Sequence, residues 1–124
     1  LKGEPIDVFG HGDMGRDFTY IDDIVDGVIA ALDRPPGEKD GHHNVYNLGG
    51  DHPEALMTLI ETLEQALGIE ANKKMRGMQS GDVKRTWADI SKAKRDLGFE
   101  AKTPLKQGIA NFVAWRKNLP KDVY

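Results

Sequence analysis

The sequence predicts an α/β domain of about four helices and three or four short strands. Two observations carry that expectation. Apolar residues recur at helical spacing in four stretches, each closed by a glycine or a proline. Between them lie short runs rich in β-branched and aromatic residues, too few and too brief for a sizeable sheet.

Ile6-Asp7-Val8-Phe9 reads as the first short strand and Gly10 to Gly15 as a glycine loop. Phe18-Thr19-Tyr20-Ile21 reads as a second strand. Asp22 and Asp23 stand where a helix start favours carboxylates, and Ile21, Ile24, Val25, Val28, Ile29 and Leu32 follow at helical spacing. Pro35-Pro36-Gly37 stops that helix. Asn44 to Leu48 reads as a strand ended by Gly49-Gly50. Asp51-His52-Pro53-Glu54 opens a second helix with an apolar stripe through Leu56, Leu59, Ile60, Leu63 and Leu67, and Gly68 terminates it. Residues 73 to 78 suit an edge strand and Gln79 to Asp82 a turn. Asp89 is placed to cap a short helix carrying Ile90, Ala93 and Leu97, closed by Gly98. Thr103-Pro104 starts a last helix with Leu105, Ile109, Phe112, Val113 and Trp115 expected inward.

Composition narrows the function. The chain has 124 residues, 39% apolar and 30% charged, and no cysteine, so disulfide and thiolate chemistry are excluded. No apolar run approaches the roughly 18 residues of a membrane span. The first residues, Leu1-Lys2-Gly3-Glu4-Pro5, have no signal-peptide character, and a cytoplasmic location is the expectation. Net charge is −3 but uneven: residues 1–70 hold 4 basic and 15 acidic residues, and residues 71–124 hold 13 basic and 5 acidic. This implies either complementary solvated faces or an anion site near the basic half. Basic-aromatic signatures of nucleic-acid modules are missing, so nucleic acid is not an expected partner.

Gly10-His11-Gly12-Asp13-Met14-Gly15 matches G-x-G-x-x-G, with Asp33 near the usual acidic position. Its context refuses the dinucleotide reading. The third glycine should open a helix whose N-terminus faces a pyrophosphate, whereas Arg16 to Ile21 alternates like a strand. A turn between strands is the expectation. The four histidines have no carboxylate at metal-ligand spacing, and Ser80 and Ser91, the only serines, lie outside any nucleophile motif.

Gly12-Asp13-Met14-Gly15-Arg16-Asp17-Phe18-Thr19-Tyr20-Ile21-Asp22-Asp23-Ile24 closely resembles a segment of the extended short-chain dehydrogenase/reductases, the nucleotide-sugar epimerases and dehydratases. So, in the same order, do Val45 to Gly49, Gly81-Asp82-Val83, Ala88 to Ala93, Leu97-Gly98-Phe99, and Thr103-Pro104-Leu105 through Trp115. Asp-Met-x-Arg-Asp-Phe-Thr-Tyr-Ile-Asp-Asp-Ile-Val, with Met78-Gln79 followed by Gly81-Asp82-Val83, looks most like the UDP-glucuronate 4-epimerase branch.

The resemblance implies that the chain is the C-terminal, substrate-side fragment of an extended Rossmann-type enzyme. The N-terminal Rossmann half of such enzymes binds NAD and carries a Tyr-x-x-x-Lys pair. Neither feature is expected in this chain, since Tyr20 is followed four residues on by Ile24 and Tyr46 by Gly50. The family reaction oxidises the sugar at C4 with NAD and returns the hydride to the other face. What this part would contribute is binding of a UDP-sugar, with no catalytic residue of its own.

Arg16 matches the family arginine on the diphosphate, whose planar fork suits phosphate oxygens. Asp82 matches the carboxylate that accepts hydrogen bonds from ribose hydroxyls. Gln79 lies where many relatives place a second phosphate-binding arginine, and brings no charge. Asp7, Val8 and Phe9 match the strand whose backbone contacts uracil, and for Val8 and Phe9 core packing is an equal reading. Trp87 is expected as pocket wall or core. The same substrate part would also suit a dehydratase, decarboxylase or reductase, and a stand-alone nucleotide-binding or interaction module is the third reading. The missing Rossmann half is the natural partner of the apolar faces a fragment would leave open, and a homo-oligomer or exchanged dimer is another way to cover them.

Overall fold

The computed structural model describes residues 3–120. Leu1 and Lys2, which opened the sequence reading, and residues 121–124 lie outside the described residues. The chain divides into two compact units, one from Leu1–Arg16, Glu54–Arg85 and Pro104–Tyr124, the other from Asp17–Pro53 and Thr86–Thr103.

In the first unit, β1 (Ile6–Val8) runs parallel to β4 (Lys73–Met75), in register Ile6 to Lys73 and Val8 to Met75. A kinked 3-10 segment follows at Phe9–Gly12, with Gly10 and His11 both at positive φ. β2 (Gly15–Arg16) then pairs antiparallel with β3 (Glu54–Ala55). α2 (Leu56–Leu67) packs against α4 (Leu105–Asn118), burying Ile60 and Val113. α2 ends as its sequence demands: Gly68 adopts φ 69°, a left-handed conformation that costs glycine little, and its N–H bonds the Glu64 carbonyl.

In the second unit, α1 (Ile21–Leu32) packs on α3 (Ser91–Leu97). The core is Ile90, Ala93, Leu97 and Phe99, with Tyr46, Leu48 and four alanines packed against it. Gly27 makes this approach possible, because a Cβ there would lie 2.8 Å from Phe99 Cδ2 and 2.9 Å from Leu48 Cδ1. The N-cap of α3 is Ile90 and not Asp89, which stands one residue earlier and leads into the helix through an Asx-type turn, its Oδ1 accepting the Ser91 N–H at 2.9 Å.

Four expectations are corrected. Residues 18–20 form no strand. The ladder forms one step earlier, at Gly15–Arg16, where Glu54–Ala55 supplies a partner. That pairing also delays the second helix to Leu56, so Pro53 precedes it instead of standing in its first turn. Asn44 to Leu48 form no strand either, because no described segment lies alongside to complete a ladder. They are instead held by side chains: Asn47 Nδ2 donates to the Asp89 carbonyl (3.2 Å) and Lys92 Nζ to Asn44 Oδ1 (3.0 Å). Last, Phe112 and Trp115 do not point inward. α4 buries Gly108 and Val113, leaving Phe112 49% and Trp115 53% exposed with ring centroids 5.6 Å apart.

Asp22 lies in the first turn of α1 as expected, but Asp23 has a second task. It is the buried polar residue of the described chain, and its carboxylate accepts from the Thr103 N–H (3.0 Å) and hydroxyl (3.2 Å). The apolar stripe of α1 does not build the core. Ile21, Val25, Val28, Ile29 and Leu32 are all roughly half exposed or more, Leu32 at 76%. The helix buries its small-residue side, through Gly27, instead.

Candidate nucleotide-binding site

β1 ends at Val8, and the 3-10 turn that follows swings Phe9 out of the strand direction. Six residues beyond Phe9, Gly15 is held from both sides. It pairs with Ala55 and forms a bridge to Arg85, and its N–H donates to the Lys84 carbonyl at 2.9 Å. Arg16, next in β2, is thereby fixed at its backbone between the 54–55 and 84–85 segments. The outcome is a cavity of about 250 Å³ lined by Asp7, Phe9, Met14, Arg16, Leu56 and Asp82.

Arg16 and Asp82 are 66 residues apart in sequence, yet Arg16 Nη2 donates to Asp82 Oδ1 at 2.7 Å. Arg16 Nη1 donates to the carbonyls of Gly15 (2.8 Å) and Lys84 (3.3 Å). Asp82 Oδ1 also accepts the Val83 N–H at 2.8 Å, which keeps the carboxylate turned into the cavity. Both side chains stay reachable from solvent, 25% and 32% exposed. The wall opposite in chemistry is apolar, from Phe9, Met14 and Leu56. Such a pocket can grip a charged, donor-bearing group at one end and a flat or apolar group at the other. At this size it holds part of a nucleotide and not a whole nucleotide-sugar.

Of the residues singled out in sequence, Phe9, Arg16 and Asp82 therefore meet in one cavity. Asp7 also lines the cavity, and its carboxylate accepts from Arg76 Nε at 3.0 Å. Val8 does not join them. It is 1% exposed, and its carbonyl accepts the Arg76 N–H at 2.8 Å, so packing and the β1–β4 ladder take it up. Gln79 stands exposed in the turn before Asp82, outside the cavity lining, and its carbonyl accepts the Asp82 N–H at 3.2 Å. Its part is to shape the turn that presents Asp82. Trp87 is not core and does not line this cavity, but it is a wall of a separate cavity of about 310 Å³ in the second unit, with Asp17, Thr19 and Asn47. It is 72% exposed and donates through Nε1 to Asp51 Oδ1 at 3.0 Å. Met14 and Leu56 were missed as lining residues. The β2–β3 pairing brings them in, the Leu56 N–H donating to the Met14 carbonyl at 2.8 Å, and nothing in the sequence announced that contact.

Ion pairs take up part of the uneven charge. Lys84 pairs with Asp13 at 2.5 Å, Arg76 with Asp7, and Lys73 with Glu64, so the basic stretch answers the acidic one within the first unit. Lys84 holds the Asp13 carboxyl below its usual range. A larger cavity in this unit, about 330 Å³, is lined by Ile6, Ile60, Leu63 and Leu67 with the carboxylates Glu4, Glu64 and Glu70 and no basic residue, which disqualifies it as a phosphate site.

The glycine motif does not become a dinucleotide fingerprint. Gly15 enters a strand and not a helix, so no helix N-terminus faces a pyrophosphate there. Among the described residues no group of three or more His, Cys, Asp or Glu could hold a metal ion, and no helix is long and apolar enough to cross a membrane.

Comparison with known proteins supplies the context. The family model described as GDP-mannose 4,6 dehydratase matches residues 1–112. A UDP-glucuronate 4-epimerase of Thermodesulfobacterium geofontis is 43% identical over 115 residues, covering 92% of this chain and 34% of that protein. UDP-glucuronate 4-epimerase 4 of Arabidopsis thaliana is 42% identical over 127 residues, covering 93% and 29%. The crystal structure of UDP-glucuronic acid 4-epimerase from Bacillus cereus with UDP-glucuronic acid and NAD superposes with a TM-score of 0.78 at 34% identity, covering 93% of this chain and 37% of that one. The chain thus spans about a third of the length of these relatives. With a strand–turn–strand around Arg16, a turn presenting Asp82 and a family match over nearly all its length, the chain belongs to the NAD-dependent epimerases and dehydratases of the extended short-chain dehydrogenase/reductase type, and corresponds to their C-terminal part.

Proposed function

We propose that this chain binds the nucleoside diphosphate of a UDP-sugar, as the substrate side of an NAD-dependent nucleotide-sugar 4-epimerase that converts UDP-glucuronate to UDP-galacturonate. The observation that carries the reading is the single cavity shared by Phe9, Arg16 and Asp82. Arg16 is the cation for the diphosphate, Asp82 the acceptor for ribose hydroxyls, and Phe9 with Met14 and Leu56 the apolar surface for the base.

The reading divides labour sharply. The sequence holds no Tyr-x-x-x-Lys motif to move a proton from the sugar, and its glycine segment enters a strand where a dinucleotide fingerprint enters a helix. The cofactor and the redox step belong to a preceding Rossmann half, and this part supplies grip and orientation. Holding the nucleotide end still is itself a contribution, because it converts the encounter of sugar and reacting groups into an intramolecular one. A dehydratase reading would share the same nucleotide grip. The UDP-glucuronate 4-epimerases among the relatives favour epimerisation.

The test is turnover by the full-length polypeptide. Incubation with UDP-glucuronate and NAD should yield UDP-galacturonate, resolved by chromatography. A 4-keto-6-deoxy or decarboxylated product would refute epimerisation, and failure to bind UDP would refute the site.

A further inference from the structure

Arg16 and Asp82, given above to the two ends of one ligand, hold each other at 2.7 Å in this structure. Neither is loosely placed. Arg16 is anchored on the Gly15 and Lys84 carbonyls, and Asp82 on the Val83 N–H. A carboxylate this close cancels much of the field by which a guanidinium attracts an anion, and it repels any phosphate that approaches. Arg16 is thus a poor site for a phosphate alone.

We infer that Asp82 is a specificity-determining residue, a built-in competitor for Arg16, and that a nucleoside diphosphate binds by partner exchange. This rests on the nucleotide reading above. The diphosphate takes over Arg16 while the ribose hydroxyls donate to the carboxylate that Arg16 releases. A ligand with both groups satisfies both side chains. Inorganic pyrophosphate satisfies Arg16 and leaves Asp82 charged, with only the Val83 N–H as donor and beside a polyanion. A bare nucleoside satisfies Asp82 and leaves Arg16 without an anion. The pair therefore rejects ligands that carry only half of the required chemistry. A buried or half-buried polar group left unpartnered discriminates far more strongly than a missing apolar contact does.

The experiment measures UDP, 2′-deoxy-UDP and inorganic pyrophosphate binding by titration calorimetry to the full-length protein and to Asp82→Asn. The asparagine keeps an oxygen to accept the Val83 N–H but removes the charge. In Asp82→Asn, pyrophosphate should bind about tenfold more tightly and UDP several-fold more weakly, so that the preference for UDP over pyrophosphate falls by well over a factor of ten. The penalty for 2′-deoxy-UDP should shrink in the same variant. Pyrophosphate affinity that is unchanged or lower in Asp82→Asn overturns the competitor role. Wild-type protein that binds UDP no better than pyrophosphate overturns the nucleotide reading itself, so the two failures are told apart before any variant is made. Should Asp82→Asn fail to show a wild-type thermal transition, Asp82→Ser carries the same comparison.

Discussion

Replacing Arg16 by alanine isolates the grip on the diphosphate. The structure sets the magnitude from two sides. On the stability side, Arg16 loses a charge pair whose partners are 25% and 32% exposed, along with bonds to the carbonyls of Gly15 and Lys84. A pair that wet contributes about 0–1 kcal/mol, so the fold should survive. On the binding side, a charge-assisted contact to phosphate is lost, which costs about 1.5–3 kcal/mol, or roughly ten- to a hundredfold in affinity. The upper end is expected, since Asp82 then faces the diphosphate without its counter-charge. Arg16→Lys should restore only part of the loss, because an ammonium is a point charge without the two-pronged geometry. UDP affinity measured by calorimetry on the full-length variants is the assay, with NAD affinity as the control expected to stay constant. An Arg16→Ala protein with wild-type UDP affinity and an unchanged thermal transition would return Arg16 to the role of a loop residue that ties β2 to the 84–85 segment.

Three further outcomes follow from packing and charge. Gly27→Val should destabilise the chain by about 1–3 kcal/mol in urea titration, since even a Cβ would meet Phe99 and Leu48 at 2.8–2.9 Å, and a wild-type midpoint would mean that the α1–α3 approach is looser than described. Glu64 accepts from Lys73 Nζ and from the Ala71 N–H at 2.7 Å, which lowers its pKa below the ordinary 4.5. A lowered folded pKa means stability that is present above 4.5 and is lost as pH falls through the depressed value, so the stability gap between wild type and Glu64→Gln should shrink from about pH 4.5 downward, and a gap constant with pH would count against it. The 124-residue chain on its own should self-associate, because α1 exposes Ile21, Val25, Val28, Ile29 and Leu32 on one helix, and light scattering that finds a strict monomer at high concentration would argue otherwise.

What the sequence made legible was local. Gly68 and Gly98 stop their helices at φ 69°, and Asp89 turns the chain into α3 through the Ser91 N–H, because a left-handed residue and a short side-chain acceptor act within a few residues of themselves. The strands expected at 18–21 and 44–48 failed for the opposite reason. A strand is a property of two segments, and β-propensity says nothing about whether a partner lies alongside. The helical stripe of α1 shows the same limit in another form, since periodicity located the helix but gave no sign that its glycine side would face the core. The site divides in the same way. Arg16, Asp82 and Phe9 were legible through a resemblance extending over much of the chain, whereas Met14 and Leu56 enter through a two-residue ladder that no local signal marks.

That division bears on why the site can be carried by so little sheet. Phe9, Arg16 and Asp82 are each placed by a device of very short range: the turn after β1 for Phe9, the two-sided hold on Gly15 for Arg16, and the Gln79–Asp82 turn for the carboxylate. A Cβ at Gly15 would already touch Arg85 Cγ at 3.4 Å, so the hold is close on the bridge side as well as on the ladder side. Precision comes here from backbone pinned between neighbours rather than from a large core. It follows that the geometry of Arg16 depends more on the 84–85 segment than on the apolar residues around it. Shortening the stretch from Val83 to Arg85 by one residue should move Asp82 and the Arg16 anchor together, and so abolish UDP binding even where the thermal transition is kept.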